Sequence, residues 1–334
     1  MAVNSSNSIT AETYNGLQSR ISKILGSGEN TFGYGQTVES ALVQKLTDVN
    51  SVDGDSVLTQ QLNDLRDDFN TVHEHQEGTP TNIASFSQGD IVGADQSGTD
   101  IDYNLDGSKT FLNSNATKGI NDFFNLINTL ETNRFNIAAN QQEINVVSSS
   151  VRTSSWNGSI NTVFSIDFGT SDERRYFFNA GGQIRFQGTV TSVSTQRGGF
   201  WQDLIQNPGE IQLGYNFVQN TGSSNGVSFP AGIIGNYDLT TSYQTIFRKD
   251  ASSGLYGNSF WQIEAREESS QTISFRITLV NDGPESDTDF GQEGGIDGGI
   301  QESVRADIEF ELSVLRANGA VVIPSPSATI LDTF

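Results

Sequence analysis

Phe123, Leu130, Ile137, Ile144 and Val151 follow one another at intervals of seven residues, and Ile120 and Ile127 precede the first two of them by three. An apolar residue at every seventh position, with a companion in between, is the seam along which helices supercoil. The spacing predicts one helix over 116–151, roughly 50 Å long at about 1.5 Å per residue. The companion positions turn polar at Arg134, Gln141 and Ser148. Polar layers weaken a two-stranded pairing and set register in a multimer, so a homotrimer is the expected assembly. Its oligomerisation contacts would be Ile120, Phe123, Ile127, Leu130, Ile137, Ile144 and Val151. The competing reading is a long helix packed on its own domain.

Before this segment the pattern is that of shorter helices. Thr10 can cap a helix carrying Tyr14, Leu17, Ile21 and Leu25, which Gly26-Ser27-Gly28 ends. Ala41, Leu42 and Leu46 suggest a second short helix. Leu58, Leu62, Leu65, Phe69 and Val72 form a 4-3-4-3 stripe that predicts an amphipathic helix over 56–74. Residues 78–113 are turn-rich and read as loops with short strands.

From about 155 the period becomes alternating. Strands are expected at 162–168, 175–178, 183–193, 210–218, 243–249, 259–265, 272–280 and 305–316, separated by glycine and asparagine turns, with a helical turn at 200–205. Short strands in such number predict a sandwich or barrel. The expected fold is therefore α+β and multi-domain. Residues 1–113 would form a helical attachment region with loops, and 114–152 the long heptad helix. Residues 153–320 would form an antiparallel, jelly-roll-like β-sandwich, and 321–334 an extended tail.

The 334 residues suffice for two or three domains. A net charge of -22 repels phosphate backbones and argues against a nucleic-acid partner. There are no cysteines, so thiolate chemistry and disulfides are excluded. No signal-peptide pattern opens the chain, and no apolar run approaches the roughly 20 residues of a spanning helix. Neither export nor a membrane is expected.

Few residues suggest chemistry. The two histidines, His73 and His75, sit in Val72-His73-Glu74-His75-Gln76-Glu77, where Glu74 or Glu77 could complete a metal site. Positions i and i+2 of a helix face different ways, which favours a solvated helix end instead. The acidic run 281–299 offers oxygen ligands for calcium at Asp282, Glu285, Asp287, Asp289, Glu293 and Asp297, the weak candidates being Asp287, Asp289 and Glu293. Its spacing is not that of an EF-hand, and a solvated loop is the commoner outcome. Among 40 carboxylates no pair stands out for glycoside hydrolysis, and no catalytic triad or phosphate-binding loop is visible. No catalytic residue, enzyme activity or cofactor is expected. Trp156, Trp201 and Trp261, with Tyr215, Tyr237 and Tyr256, could stack on sugars, though packing is the more frequent use of such rings.

The segment Asp172-Glu-Arg-Arg-Tyr-Phe-Phe-Asn-Ala-Gly-Gly-Gln-Ile-Arg-Phe186, followed by Phe200-Trp-Gln-Asp-Leu-Ile205 and Gly209-Glu-Ile-Gln-Leu213, resembles a pattern in virion structural proteins of contractile-tailed cyanophages. Thr13-Tyr-Asn-Gly-Leu-Gln-Ser-Arg-Ile21, Gly33-Tyr-Gly-Gln36, Tyr243-Gln-Thr-Ile-Phe247 and Trp261-Gln-Ile-Glu-Ala-Arg266 fit the same class. The resemblance implies a virion protein made in the host cytoplasm, a fibre or whisker-like part of neck, tail or baseplate. Its partners would be itself and other virion proteins, with a host-surface glycan, read by an adhesin module, as the alternative. Read locally, Arg175–Phe186 is a hairpin turning at Asn179-Ala180-Gly181-Gly182.

Overall fold

The computed structural model describes residues 11–42, 58–81, 83, 85–87, 101–103, 109–111, 120–135, 137, 140–230, 232, 234–251, 258–282 and 303–334. Helices and antiparallel sheets are both present, so the fold is α+β. The chain divides into two compact units. One comprises residues 1–141, 175–181 and 317–323, and the other residues 142–174, 182–316 and 324–334.

The first unit is mainly helical: α1 (Ala11–Leu25), α2 (Glu39–Leu42), α3 (Thr59–Glu77), a hairpin of β1 (Ile101–Tyr103) and β2 (Lys109–Phe111), and α4 (Ile120–Thr132). α1 buries Tyr14, Leu17, Ile21 and Leu25, the face its spacing predicts. Downstream, Gly35 has φ 74, and a Cβ there would overlap the Tyr176 ring, so both conformation and space demand glycine. α3 buries Leu62, Leu65, Phe69 and Val72. Leu58 leaves the expected stripe: it is the N-cap residue, exposed, with its N–H donating to Gln61 Oε1 at 2.7 Å. Gly78, left-handed at φ 78, stops the helix by donating its N–H to the Glu74 carbonyl at 2.9 Å. Asp68 accepts the N–H groups of Glu39 and Ser40, both at 2.9 Å, at the start of α2, and burial raises its pKa.

The predicted helix over 116–151 is not formed. α4 ends at Thr132, and Asn140–Ser148 is a strand, β3. Two side chains take up carbonyls at the end of α4. Gln76 Nε2 donates to Leu130 O at 3.1 Å and Tyr34 Oη to Arg134 O at 2.6 Å. Beyond it, β-branched Ile144, Val146 and Val147 favour an extended backbone.

The second unit contains β4 (Gly158–Asp167), β5 (Gln183–Thr191), α6 (Gln196–Gln206), β6 (Ile211–Leu213), β7 (Val218–Asn220), β8 (Val227–Ser228), β9 (Gln244–Asp250), β10 (Phe260–Ser269), β11 (Thr272–Asn281), β12 (Asp307–Asn318) and β13 (Ser327–Asp332), together with β3. One sheet runs β13-β4-β11-β10-β9-β8, the other β3-β12-β5-β6-β7. Alternate residues are buried on each: Phe164 and Ile166 on β4, Ile273, Phe275, Ile277 and Leu279 on β11, Ile308, Phe310, Leu312 and Val314 on β12. The buried faces meet ring to ring, Phe186 on Phe275 with centroids 4.9 Å apart and Trp261 on Phe310 at 5.4 Å. Strands β5–β7 and β8–β11 are meanders within one sheet each. A jelly roll alternates between sheets there, so that expected detail does not hold.

The expected strand at 175–178 is also corrected. Residues Ser171–Asn179 form helix α5. Thr170 Oγ1 accepts the Glu173 N–H at 3.0 Å and meets the Glu173 carboxylate at 3.2 Å, an N-terminal box that fixes the first turn. The Arg175–Phe186 hairpin is thus a helix followed by strand β5. Within the segment expected as an extended tail, 327–332 is strand β13, paired against β4.

Candidate interaction surface

The seam residues do not share one line. Phe123, Ile127 and Leu130 are buried in the helical unit, where Phe123 packs edge-on to Phe69 at 5.1 Å and over Phe86 at 6.3 Å. The Ile120 side chain lies outside the described residues. Ile137 and Ile144 are half-buried, and Val151 is 48% exposed. The first three are therefore core residues, not partner contacts. Of the others, Ile144 lies on β3 and Val151 just past its end, in the β-unit.

β3 is the outermost strand of its sheet, and none of residues 142–148 is buried. β13 is the outermost strand of the other sheet. Asn145 Nδ2 donates to Pro326 O at 3.4 Å, which sets the approach to β13 beside the middle of β3. Among the described residues, one flank of the unit therefore carries two open backbone edges. Val146 is 42% exposed there. On β13, Ile330 pairs with Phe164 and Asp332 with Val163, so Leu331 bulges out of register and is 62% exposed.

The flank is poor in charge although the chain carries -22. Residues 140–151 hold one charged side chain, Glu143, and 324–334 hold one, Asp332. Glu143 is already paired with Arg185. Arg185 also donates to Ser313 Oγ at 2.9 Å and Glu210 Oε1 at 3.3 Å, and lies 3.7 Å from Glu311. One guanidinium thus ties β3 to β12, β5 and the start of β6.

Other candidate positions are not brought together. His73 is half-buried with Nδ1 2.6 Å from Thr79 O, whereas His75 is buried with Nε2 3.1 Å from Ala180 O. They face apart, as their i, i+2 spacing requires. Asp287, Asp289 and Glu293 lie outside the described residues, as do Glu285 and Asp297. Among the described residues no group of three or more His, Cys, Asp or Glu could hold a metal ion, and no helix is long and apolar enough to cross a membrane. All three tryptophans are buried. Trp261 Nε1 donates to Leu204 O at 2.8 Å, Trp201 Nε1 donates to Asn281 Oδ1 at 3.2 Å, and Trp156 packs edge-on to Trp201 at 5.0 Å. None offers a face for a sugar. Tyr215 is half-buried, Tyr237 is exposed at the surface and Tyr256 lies outside the described residues.

The sequence did not point to an apolar recess of about 180 Å³ lined by Phe217, Val218, Phe229, Pro230, Gly232, Ile234 and Ile246. Nor did it point to β13 as a strand, although Ala328 and Ile330 alternate with Ser327 and Thr329 in the way that marks one. No protein-family model, curated protein or solved structure matches the chain.

Proposed function

We propose that the chain is a structural component of a bacteriophage particle, a homotrimeric fibre or whisker-like part of the neck, tail or baseplate. In this reading it is not an enzyme. The phage assignment rests on the resemblance at 172–186, 200–205 and 209–213. The observation that supports assembly is the flank of β3 and β13, with its open edges, its exposed Val146, Val151 and Leu331, and its lack of unpaired acid apart from Asp332.

An open strand edge is complementary to other extended chain. Depletion of charge around exposed apolar side chains is the signature of an interface centre. A second copy is the occupant we assign. Copies carrying -22 each repel wherever their acidic surfaces meet, and the approach is least opposed at this flank. The two facing sheets then act as a β-sandwich that docks neighbouring virion proteins, and the helical unit serves for attachment.

Light scattering on the purified chain tests this. The expected mass is that of three chains, and Val146→Lys combined with Leu331→Lys should return it to one. A single-chain mass for the unaltered protein overturns the assembly, and a two-chain mass overturns the trimer.

A further inference from the structure

We propose that the Asn225–Gly226 peptide bond is a built-in deamidation site, activated by the ammonium group of Lys249. Residues 224–227 form a turn closed by the Val227 N–H donating to Ser224 O at 3.1 Å. Gly226 sits at φ 68, a left-handed conformation open to glycine. Both residues of the bond are exposed. Among the described residues nothing bonds to the Asn225 carboxamide and nothing accepts the Gly226 N–H. Behind the turn Lys249, on β9, is only 8% exposed, and its Nζ donates to the Asn225 backbone carbonyl.

That carbonyl oxygen is where charge collects when the Gly226 N–H loses its proton. A cation held on it stabilises the peptide anion, as an adjacent opposite charge stabilises any ionised group. The nitrogen then attacks Asn225 Cγ. The N–Cγ bond forms, the Cγ–Nδ2 bond breaks, and the carboxamide nitrogen leaves as ammonia. Water opens the resulting succinimide at either carbonyl and leaves aspartate or isoaspartate at position 225. Asparagine and water are consumed, and acid and ammonia are produced, so no other reactant is needed.

Of the three other Asn–Gly bonds, two are built differently, and the side chain of Asn318, before Gly319, lies outside the described residues. Asn15–Gly16 lies inside α1, where helical hydrogen bonding holds the backbone. Asn157 is engaged at both ends of its carboxamide: Nδ2 donates to Ser303 Oγ at 3.3 Å, and Oδ1 accepts from Asn281 Nδ2 at 3.2 Å. The consequence of reaction at Asn225 is local but not small. β8 pairs with β9 through Val227↔Lys249 and Ser228↔Arg248 alone. An isoaspartate lengthens the backbone one residue before Gly226 and sets a carboxylate beside Lys249. That loosens β8 and the Phe229–Pro230 rim of the apolar recess.

Timed incubation of the intact protein at mildly alkaline pH, read by peptide mass spectrometry that separates aspartate from isoaspartate, tests the proposal. Position 225 should convert roughly tenfold faster than positions 15 and 157, the effect of about one unit of acidity at the peptide nitrogen. Unfolding in urea, which releases Lys249 from the turn, should lower the rate at 225 to that at 157. Lys249→Met should slow it in the folded protein, and Lys249→Arg should preserve it. Equal rates at the three positions in the folded protein overturn the site. A rate at 225 that holds or rises in urea, or that Lys249→Met leaves unchanged, overturns the activation.

Discussion

Arg174 donates from Nη1 to Glu267 Oε2 at 2.8 Å, from a position only 5% exposed. Its Nε donates to Asn236 Oδ1, also at 2.8 Å, and Nη2 reaches the Asn236 carbonyl at 3.4 Å. Burial lowers the guanidinium's pKa and Glu267 opposes that shift. One cation therefore ties the first turn of α5 to the 3₁₀ turn Asn236–Asp238 and to the end of β10.

Glu267→Ala leaves that buried cation without its carboxylate. The expected loss is roughly 1–3 kcal/mol of unfolding free energy, measured by urea titration. Arg174→Lys keeps the charge but not the fork that serves Asn236 and Glu267 together, so it should not restore stability.

Trp261 lies between Phe247 and Phe310, with centroids at 4.7 and 5.4 Å, while its indole N–H serves Leu204 O. Trp261→Phe keeps most of the packing and strands that carbonyl, at a cost of roughly 1–3 kcal/mol. Trp261→Ala removes both and should cost roughly 3–5 kcal/mol. Circular dichroism during denaturant unfolding reads the two. Equal losses would show that the hydrogen bond and not the packing dominates.

His75 is buried in the helical unit, edge-on to the Tyr34 ring at 5.3 Å. Burial pushes its pKa down from 6.5 to about 4. The folded unit holds the neutral imidazole, and the unfolded chain takes up a proton first as pH falls. The contribution to stability is full above about pH 6.5 and is lost progressively down to about pH 4. Over that window the loss is roughly 3 kcal/mol, at about 1.4 kcal/mol per unit. In His75→Gln this part of the slope should vanish. An unchanged slope in urea midpoints across the window would assign the acid lability to carboxylates.

α1 and α3 are legible in the sequence because two independent signals agree: an apolar face at helical spacing and a glycine that ends it. The heptad seam misleads because a count of seven says nothing about the backbone between the counted residues. The run Ile144-Asn145-Val146-Val147 already favours a strand, and Phe123, Ile127 and Leu130 need only a short helix to be buried. Tyr176 and Phe178 alternate with Phe177 as in a strand, yet Thr170-Ser171-Asp172-Glu173 is a helix-opening signature and prevails. The flank was half legible. Ile144 is half-buried on β3 and Val151 lies exposed just past its end, so neither sits on the helix that the heptad spacing predicts. The alternation of Ala328 and Ile330 with Ser327 and Thr329 marks β13 as extended, but its pairing with β4 is non-local and is not legible from the neighbouring residues.

β4 sits between β11 and β13, and Asp167 is aligned with both Thr272 and Ser327. The ribosome therefore makes β4 roughly a hundred residues or more before either neighbour exists. Phe164 and Ile166 must wait through that interval with no sheet to cover them. Contacts of such sequence separation close late and slowly. The six-stranded sheet is thus completed late, and β4 is the stretch a chaperone would need to shield.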